Sequence, residues 1–259
     1  MTERPEKQLE LTTTIAAPLE AVWDALTTGE GLAAWYVSKA DVDPRLGGEV
    51  AISFGEGPLA ISRIDVWEPP NRVRFAYVPE GGMEIGDMEG GSEEWLLSHA
   101  AGVTTLRLVH SLPDPGVEDW EGYYGSITRG WTLFLATLRH YLESTERRGR
   151  VTTLAMPAVT ADAALVWRGI QDALEIGTVE PGTSTTVVVD GERVPAKVLV
   201  SLPPLALLLD VDGTLLFADI EGSGEHTVLY TLASTYEADT PVAAHRRAAL
   251  VEATRRAAE

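Results

Sequence analysis

One histidine and two tyrosines have the side chains and the positions to act on a small molecule inside this protein. His110 follows Leu106 and Leu108 at every second position, so all three share the apolar face of one expected strand. A histidine on such a face is either a hydrogen-bonded core residue or an acid–base group that works near neutral pH. Tyr77 and Tyr124 place hydroxyl groups within two other apolar patterns. We expect these three polar groups to orient a ligand, and the sequence assigns no residue a catalytic role.

Most other catalytic chemistry lacks its residues in this sequence. The chain has no cysteine, which excludes disulfides, thiol catalysis and thiolate metal sites. His110 has no second histidine at helical or strand spacing, so we expect no metal site. The motifs of serine nucleophiles, phosphate-binding loops and dinucleotide-binding loops are missing as well. The sequence therefore predicts no cofactor.

The segment LALLLDVDGTLL, from Leu205 to Leu216, resembles the DxDGT signature of haloacid-dehalogenase-like phosphatases. The resemblance would make Asp210 the group that attacks phosphorus and Asp212 the group that handles the leaving-group proton. That fold needs a long α/β domain and a lysine after the motif, but the chain ends at residue 259 and no lysine follows. Asp-Gly favours the positive φ of tight hairpins, so we interpret Asp212-Gly213 as a turn between two strands.

Charge and hydropathy limit the partners. The formal net charge is −19 and both halves of the chain are acidic, whereas nucleic-acid binding needs a basic patch and anionic membranes attract basic segments. The N-terminal MTERPEKQLE lacks the apolar core of a signal peptide. Prolines and aspartates interrupt the most apolar run, Val198 to Phe217. These features predict a cytoplasmic protein that binds neither nucleic acid nor membrane.

The first half of the chain has the pattern of a sheet followed by a long helix. Leu9 to Ile15 predicts a strand, and Pro18 opens a helix that Gly29 and Gly31 are expected to break before a second short helix at LAAWYV. From Glu49 to Ser111 the apolar period is two, which predicts about five antiparallel strands. An antiparallel sheet with helices on one side is an α+β fold.

The long helix from Trp120 to about Glu143 follows this sheet. Its apolar residues recur three and four positions apart and form one broad face, while Arg129 and Arg139 are expected to face water. Gly130 lies in the middle of the helix, where a small residue would let another element approach closely.

Aromatic residues are numerous enough to line one chamber between the sheet and the long helix. A curved sheet that holds a long amphipathic helix tends to leave such a space, and plain core packing is the alternative. We interpret the set as a mixture of packing and pocket residues. The loop from Pro79 to Glu94 is either a hairpin loop or a lid over that chamber. The predicted ligand-binding residues are Trp35, Tyr36, Phe54, Phe75, Tyr77, Trp95, His110, Tyr124, Ile127, Trp131 and Phe134.

Five sequence segments in this half resemble those of a known family. They are APLEAVWDALTTGEGLAAWY (17–36), the Gly47-Gly48 turn, IDVWEPPNRVRFAY (64–77), TTLRLVHS (104–111) and GWTLFLATLRHYLE (130–143). In this order they resemble the START-like (SRPBCC) helix-grip superfamily, and within it the ATPase-activator-like family of the ninety-kilodalton heat-shock chaperone. The resemblance covers most of residues 9–146 and implies a curved antiparallel sheet around a long C-terminal helix. Members of the superfamily bind lipids or hormones, cyclise polyketides or assist chaperones.

The rest of the chain resembles a shorter copy of its beginning. After the linker ERRG, Thr160 is the expected N-cap of a helix whose Val166-Trp167 pair matches Val22-Trp23. Apolar strands, an expected Asp190-Gly191 turn and a final helix follow. We predict a START-like domain over 1–146 and a smaller α+β domain over 151–259, either a shortened, degenerate helix-grip unit or a chance similarity. Such a repeat could replace a second subunit, so we expect a monomer or a homodimer.

Three functions fit these features. The first is the binding of a small hydrophobic or amphipathic molecule under the long helix. The second is a chaperone-associated interaction protein, as the family resemblance implies. The third is a cyclase- or hydrolase-type enzyme with His110 or a tyrosine as the acid–base group. The sequence favours binding over catalysis and does not identify the ligand.

Overall fold

The computed structural model describes residues 6–55, 59–78, 90–114, 116, 118–144, 149–221, 227–236 and 239–257. The chain divides into two compact units. The first contains residues 1–120 and 137–147, and the second contains residues 121–136 and 148–259. The long helix therefore contributes to both units, a division that the sequence did not predict.

The first unit begins with a strand and two short helices. These are β1 (Glu6–Ile15), α1 (Leu19–Thr27) and α2 (Gly29–Trp35). Then follow β2 (Lys39–Val42), β3 (Glu49–Ser53), β4 (Ala60–Glu68), β5 (Arg72–Tyr77), β6 (Ser92–Ala100), β7 (Val103–Pro113) and α3 (Trp120–Ser144). Within the described residues the strands form a seven-stranded antiparallel sheet in the order β1-β7-β6-β5-β4-β3-β2. The predicted five strands correspond to β3–β7, and β2 is an additional edge strand.

Patterning with a period of two gives this sheet one buried face and one charged face. Val73, Trp95 and Leu108 lie opposite one another on β5, β6 and β7, and all three are buried. On the other face Arg74 forms an ion pair with Asp65 at 2.7 Å. Such alternation is typical of an antiparallel sheet with one face in water. Only the buried face can supply side chains to an internal site.

The two short helices lie close together because glycines begin the second one. The Thr28 hydroxyl accepts a hydrogen bond from the backbone N–H of Gly31 at 3.0 Å and so caps α2. A Cβ at Gly31 would lie 2.2 Å from the carbonyl oxygen of Asp24, and a Cβ at Gly29 would lie 2.6 Å from that of Ala40. Both glycines thus belong to the first turn of α2. The predicted break before a second short helix is confirmed, since α1 ends at Thr27, but that helix begins at Gly29, three residues before LAAWYV. Only a residue without a side chain fits at either position.

α3 is one continuous helix of 25 residues, close to its predicted span. Its last part belongs to the first unit, where Leu138 is fully buried. In the same part, Glu143 Oε1 accepts a hydrogen bond from the backbone N–H of Ala16 at 2.7 Å. Among the described residues, a Cβ at Gly130 would meet only the ring of Phe134, at 3.9 Å, which is ordinary contact. The close approach expected at Gly130 is therefore not found.

The second unit repeats the topology of the first in a shorter form. Its elements are β8 (Val151–Ala155), α4 (Ala163–Ala173), β9 (Ser184–Val189), β10 (Glu192–Leu202), β11 (Ala206–Val211), β12 (Thr214–Glu221), β13 (Val228–Thr235) and α5 (Pro241–Arg256). Counting only residues that the structure describes, six antiparallel strands run in the order β8-β13-β12-β11-β10-β9. The first strand again lies beside the last, as in the first unit. The α+β helix-grip fold followed by a shortened repeat is therefore confirmed.

Turns and caps in this unit follow local chemistry. Asp190-Gly191 and Asp212-Gly213 join β9 to β10 and β11 to β12, and both residues of each pair have positive φ, between 47° and 83°. This is the type I′ geometry that Asp-Gly favours, so both predicted turns are confirmed. The N-cap of α4 is Asp162, whose Oδ1 accepts a hydrogen bond from the backbone N–H of Ala164 at 2.8 Å. The expectation of Thr160 at this cap was two residues too early.

Both faces of the second sheet are covered within its own unit. α4 and α5 cover one face, where Trp167, Leu209 and Leu250 belong to a common apolar core. On the other face Leu133, from residues 121–136, packs in a core that includes Phe217. β12 is accordingly buried along almost its whole length and shows no alternation.

Candidate functional site

Four polar side chains meet on the buried face of the first sheet. Tyr77 ends β5, Glu93 lies near the start of β6, His110 lies on β7, and Tyr36 follows α2. Glu93 lies directly opposite His110 on β7 and Phe75 on β5. Glu93 is 6% exposed and His110 is 3% exposed. We call Tyr36, Tyr77, Glu93 and His110 the polar cluster.

The hydroxyl group of Tyr77 joins two other members of the polar cluster. It lies 2.6 Å from Glu93 Oε1 and 2.8 Å from His110 Nε2. Tyr36 also forms a side-chain hydrogen bond with Glu93. A hydroxyl has one proton to donate, so Tyr77 donates to a charged Glu93, or donates to His110 and accepts from a protonated Glu93. The cluster can therefore gain or lose a proton and keep its hydrogen bonds.

Burial shifts the pKa values of Glu93 and His110 in opposite directions. It raises the pKa of Glu93 to about 7, although hydrogen bonds from Tyr77 and Tyr36 favour the charged form. It lowers the pKa of His110 to about 3. In both cases removal from water disfavours the charged state. His110 is therefore neutral at pH 7, and Glu93 is the member that changes charge near that pH.

Aromatic rings adjoin the polar cluster in a connected series. The ring of Phe54 meets the edge of Tyr36 at 5.2 Å, and Tyr36 stacks on Trp35 at 5.2 Å between centroids. Trp35 in turn contacts Trp95 at 6.1 Å, two residues along β6 from Glu93. Tyr77 of the polar cluster and the adjoining Phe54 are only partly buried, so both rings reach the surface.

The structure divides the predicted ligand-binding residues between the two units. Those of the first unit lie on or beside the polar cluster: Trp35, Tyr36, Phe54, Phe75, Tyr77, Trp95 and His110. Those on residues 121–136 belong to the second unit: Tyr124, Ile127, Trp131 and Phe134. There the Phe134 ring contacts Trp131 at 6.1 Å and Phe217 at 5.2 Å. Ligand binding by either group stays a prediction.

A second charged group is buried in the second unit. Arg129 donates through Nε to Asp219 Oδ1 at 2.9 Å, and its Nη2 donates to the carbonyl oxygen of Ile220 at 2.8 Å. The side chain of Asp219 is 0% exposed and that of Arg129 is 16% exposed. The expectation that Arg129 faces water is therefore wrong, because this part of α3 has a sheet of its own unit on that side.

The pKa values of two carboxyl groups in this region, Asp219 and Glu221, are raised. Burial raises the pKa of Asp219 to about 6, against the opposing effect of the Arg129 charge. Burial, followed by the charge of Asp219, raises the pKa of Glu221 to about 7. Asp219 and Glu221 share one face of β12 at strand spacing, which places two carboxyl groups close together. The pair with Arg129 is what makes burial of Asp219 tolerable.

Glu93 is the cluster residue that the sequence analysis missed. It was counted in the loop from Pro79 to Glu94, but β6 begins at Ser92. Glu93 lies two and four positions before Trp95 and Leu97, so the alternation already placed it on the apolar face. An acid in phase with buried residues was the available signal. Residues 79–89, and with them most of the suggested lid, lie outside the described residues.

The aspartates of the phosphatase-like motif have roles in a turn. Asp210 Oδ1 accepts a hydrogen bond from the backbone N–H of Gly213 at 2.8 Å, and Asp212 pairs with Arg246 at 3.0 Å. In the described part of the chain, no group of three or more His, Cys, Asp or Glu side chains could hold a metal ion. No helix of that same part is both long enough and apolar enough to cross a membrane.

The sequence of the first unit also matches a family of known proteins. Residues 16–143 match the profile of the family described as Activator of Hsp90 ATPase homolog 1-like protein. The first domain belongs to this family. The match runs from the end of β1 into α3 and so includes every element that carries the polar cluster. The resemblance to START-like proteins is confirmed for the Aha1-like domain.

Some of the similar solved structures match about half of this chain, and others match nearly all of it. The Aha1 dimer from Colwellia psychrerythraea is 21% identical over 54% of this chain and 98% of its own, with a TM-score of 0.46. MLL2253 from Mesorhizobium loti is 23% identical over 54% of this chain and 99% of its own, with a TM-score of 0.46. The di-domain ARO/CYC BexL from the BE-7585A biosynthetic pathway is 15% identical over 98% of this chain and 99% of its own, with a TM-score of 0.45. A search of curated proteins finds no match. Likeness at this level carries no argument about what the Aha1-like domain binds.

Proposed function

We propose that the first unit binds a small amphipathic molecule on the buried face of its sheet, beside the polar cluster. The observation that carries this proposal is the hydrogen-bonded series Glu93–Tyr77–His110, which is placed among aromatic rings. The rings supply apolar contact area, and the hydroxyl, carboxyl and imidazole groups supply orientation. Mostly apolar walls with a few convergent polar groups are the usual composition of small-molecule sites.

Core packing alone does not account for the polar cluster. Burial of a carboxyl group and an imidazole contributes less to stability than apolar residues of the same size would contribute. Burial raises the pKa of Glu93 to about 7 and lowers that of His110 to about 3, which shows that it disfavours the charged form of each group. Strongly shifted pKa values in buried polar groups are more frequent at functional sites than elsewhere. A role in binding explains why these residues occupy core positions.

The electrostatics also bear on the enzyme alternative. With a pKa near 3, His110 is a weak base, and at neutral pH it is not in the imidazolium form that would act as a general acid. Glu93, with a pKa near 7, is the better acid–base group of the cluster. A cyclase- or hydrolase-type activity would therefore depend on Glu93 more than on His110.

Association with a chaperone is a second candidate function, because the family that matches residues 16–143 is named after an activator of Hsp90 ATPase. The direct test is the rate of ATP hydrolysis by purified Hsp90 with and without this protein. Stimulation that saturates with protein concentration would support the association. An unchanged rate across a wide concentration range would remove the candidate.

Thermal unfolding of the whole chain with a ligand panel tests the binding proposal. The panel contains fatty acids, sterols, aromatic polyketides, flavonoids and hydrophobic amines. A ligand at about 100 times its Kd adds about 2.7 kcal/mol to stability, which is several degrees in Tm for a chain of this size. We expect Tyr77→Phe to weaken that shift, since it removes only the hydroxyl that joins Glu93 and His110.

Tyr230→Phe is the matched control, because it removes the same atom from the second unit. A shift that Tyr77→Phe weakens and Tyr230→Phe leaves unchanged supports a site at the polar cluster. The absence of any saturable shift across the panel would contradict the proposal. A shift that both variants leave unchanged would place the ligand elsewhere.

A further inference from the structure

The charge balance of the polar cluster indicates which kind of amphipathic molecule fits it. Glu93 is its acidic member, and the hydrogen bonds that act on the carboxyl come from two neutral groups, the hydroxyls of Tyr77 and Tyr36. His110, the remaining titratable member, shares the Tyr77 hydroxyl with Glu93. The cluster can therefore supply negative charge and neutral hydrogen bonds to a ligand.

We propose that the bound molecule carries a basic amino group, which forms an ion pair with the Glu93 carboxylate while its apolar part lies against the neighbouring aromatic rings. This inference rests on the proposed binding function and specifies its ligand class. Rings of Trp35, Tyr36 and Trp95 lie along the same buried face. The faces of such rings attract cations, and the attraction is strongest where water is excluded.

Anionic ligands are disfavoured by the same arrangement. A fatty acid or another carboxylate would bring a second negative group toward Glu93 inside a weakly screened interior. The long-range field has the same sign, since the whole chain carries a formal net charge of −19. A field of this sign attracts cationic molecules and repels anionic ones during their approach. A neutral alcohol can use the hydrogen bonds of the cluster but gains no ion pair.

Binding of an amine should release a proton from Glu93. In the free protein this carboxyl has a pKa of about 7, so at pH 6 most molecules hold a proton there. An ammonium group beside the carboxyl favours its charged form. The protonated carboxyl and the ammonium ion then become a carboxylate–ammonium pair, and one proton passes to the buffer. Within the part of the chain that the structure describes, hydrogen bonds or strand pairing place three titratable groups beside Glu93: Tyr77 from β5, Tyr36 after α2 and His110 from β7. His110, neutral at this pH, gives up no proton.

Three probes of similar size test the inference: 1-naphthylmethylamine, 1-naphthylmethanol and 1-naphthoic acid. Isothermal titration calorimetry of the whole chain at pH 6, 7 and 8.5, each in two buffers that hold that pH and differ in enthalpy of ionisation, measures both affinity and proton release. We expect the amine to bind at least tenfold more tightly than the alcohol, and the acid to bind most weakly. Proton release with the amine should approach one per site at pH 6 and fall toward zero at pH 8.5.

Two variants assign the effect to one carboxyl group. Glu93→Gln should bind amine and alcohol equally and release no proton, while Glu94→Gln, on the opposite face of β6, should behave as wild type. If the alcohol binds and the amine binds no better, or releases no proton, the amine assignment is overturned while the proposed binding function stands. If none of the three binds, the amine assignment is again overturned, and the ligand panel described above decides the binding function separately.

Discussion

Replacement of Glu93 by glutamine should remove one pH dependence of stability, so that the variant gains stability relative to wild type as the pH rises. The folded-state pKa of Glu93, about 7, lies above its ordinary value of 4.5. Below pH 4.5 the carboxyl is neutral in the folded and unfolded states, and its full contribution to stability is present. Between pH 4.5 and 7 the unfolded chain loses its proton first, so wild type loses stability as pH rises. Glutamine has no proton to lose there.

The expected size follows from the shift in pKa. A rise from 4.5 to about 7 corresponds to about 3 kcal/mol, at about 1.4 kcal/mol for each pH unit. The difference in unfolding free energy between Glu93→Gln and wild type should therefore move by about 3 kcal/mol in favour of the variant between pH 4 and pH 8.5. Urea denaturation at six pH values across this range measures it. His110 is common to both proteins, so its own titration largely cancels in the difference.

Glu94→Gln provides the control for loss of one negative charge from the same strand. Glu94 lies on the opposite face of β6, where Arg72 binds it at 2.6 Å. The difference in unfolding free energy between Glu93→Gln and wild type must change with pH. The corresponding difference for Glu94→Gln must not show the same change. If the difference in unfolding free energy for Glu93→Gln is constant from pH 4 to pH 8.5, burial does not raise the pKa of this carboxyl. The electrostatic argument for the polar cluster would then be refuted.

Three further variants test the second unit and the long helix. Arg129→Met should destabilise the protein by about 3–5 kcal/mol at pH 8, because it leaves Asp219 buried without its cation. The loss should be smaller at pH 5, where Asp219, with a pKa of about 6, binds a proton; equal losses at both pH values in urea titrations would refute this. Gly130→Ala should stabilise the protein by about 1 kcal/mol, since its Cβ meets only the Phe134 ring at 3.9 Å. Gly169→Ala should gain less or lose stability, because its Cβ would lie 3.0 Å from Ala257, and a thermal scan that ranks Gly169→Ala higher would contradict that reasoning.

Local patterns were sufficient to predict most elements of the fold. The alternation in β5 and β7, the apolar stripe of α3, and the Asp-Gly pairs each depend on residues within a few positions of one another. The order of these elements then matched a single known architecture. The strand β2 escaped prediction because its four residues, Lys39–Val42, have no buried side chain to set a pattern.

Long-range contacts were beyond this kind of prediction. Nothing near Arg129 in the sequence indicates that Asp219, ninety positions later, accepts its hydrogen bond. Two residues of the candidate site, Tyr77 and His110, were named from the sequence, and in the structure their side chains share a hydrogen bond. Glu93 was available from the alternation, but neighbouring glycines and acids made its segment look like a loop.

The division of α3 between two units has a consequence for how the chain folds. Residues 121–136 complete the core of one unit and residues 137–144 complete the other, within one unbroken helix. Helix formation is cooperative along the chain. If one unit unfolds, its part of α3 frays, and the fraying extends into the part of α3 that packs in the other unit. A cut after residue 146 would leave Leu133, now fully buried, without the sheet that covers it. We therefore expect the two units to unfold in a single transition. Neither unit should fold when the other is removed.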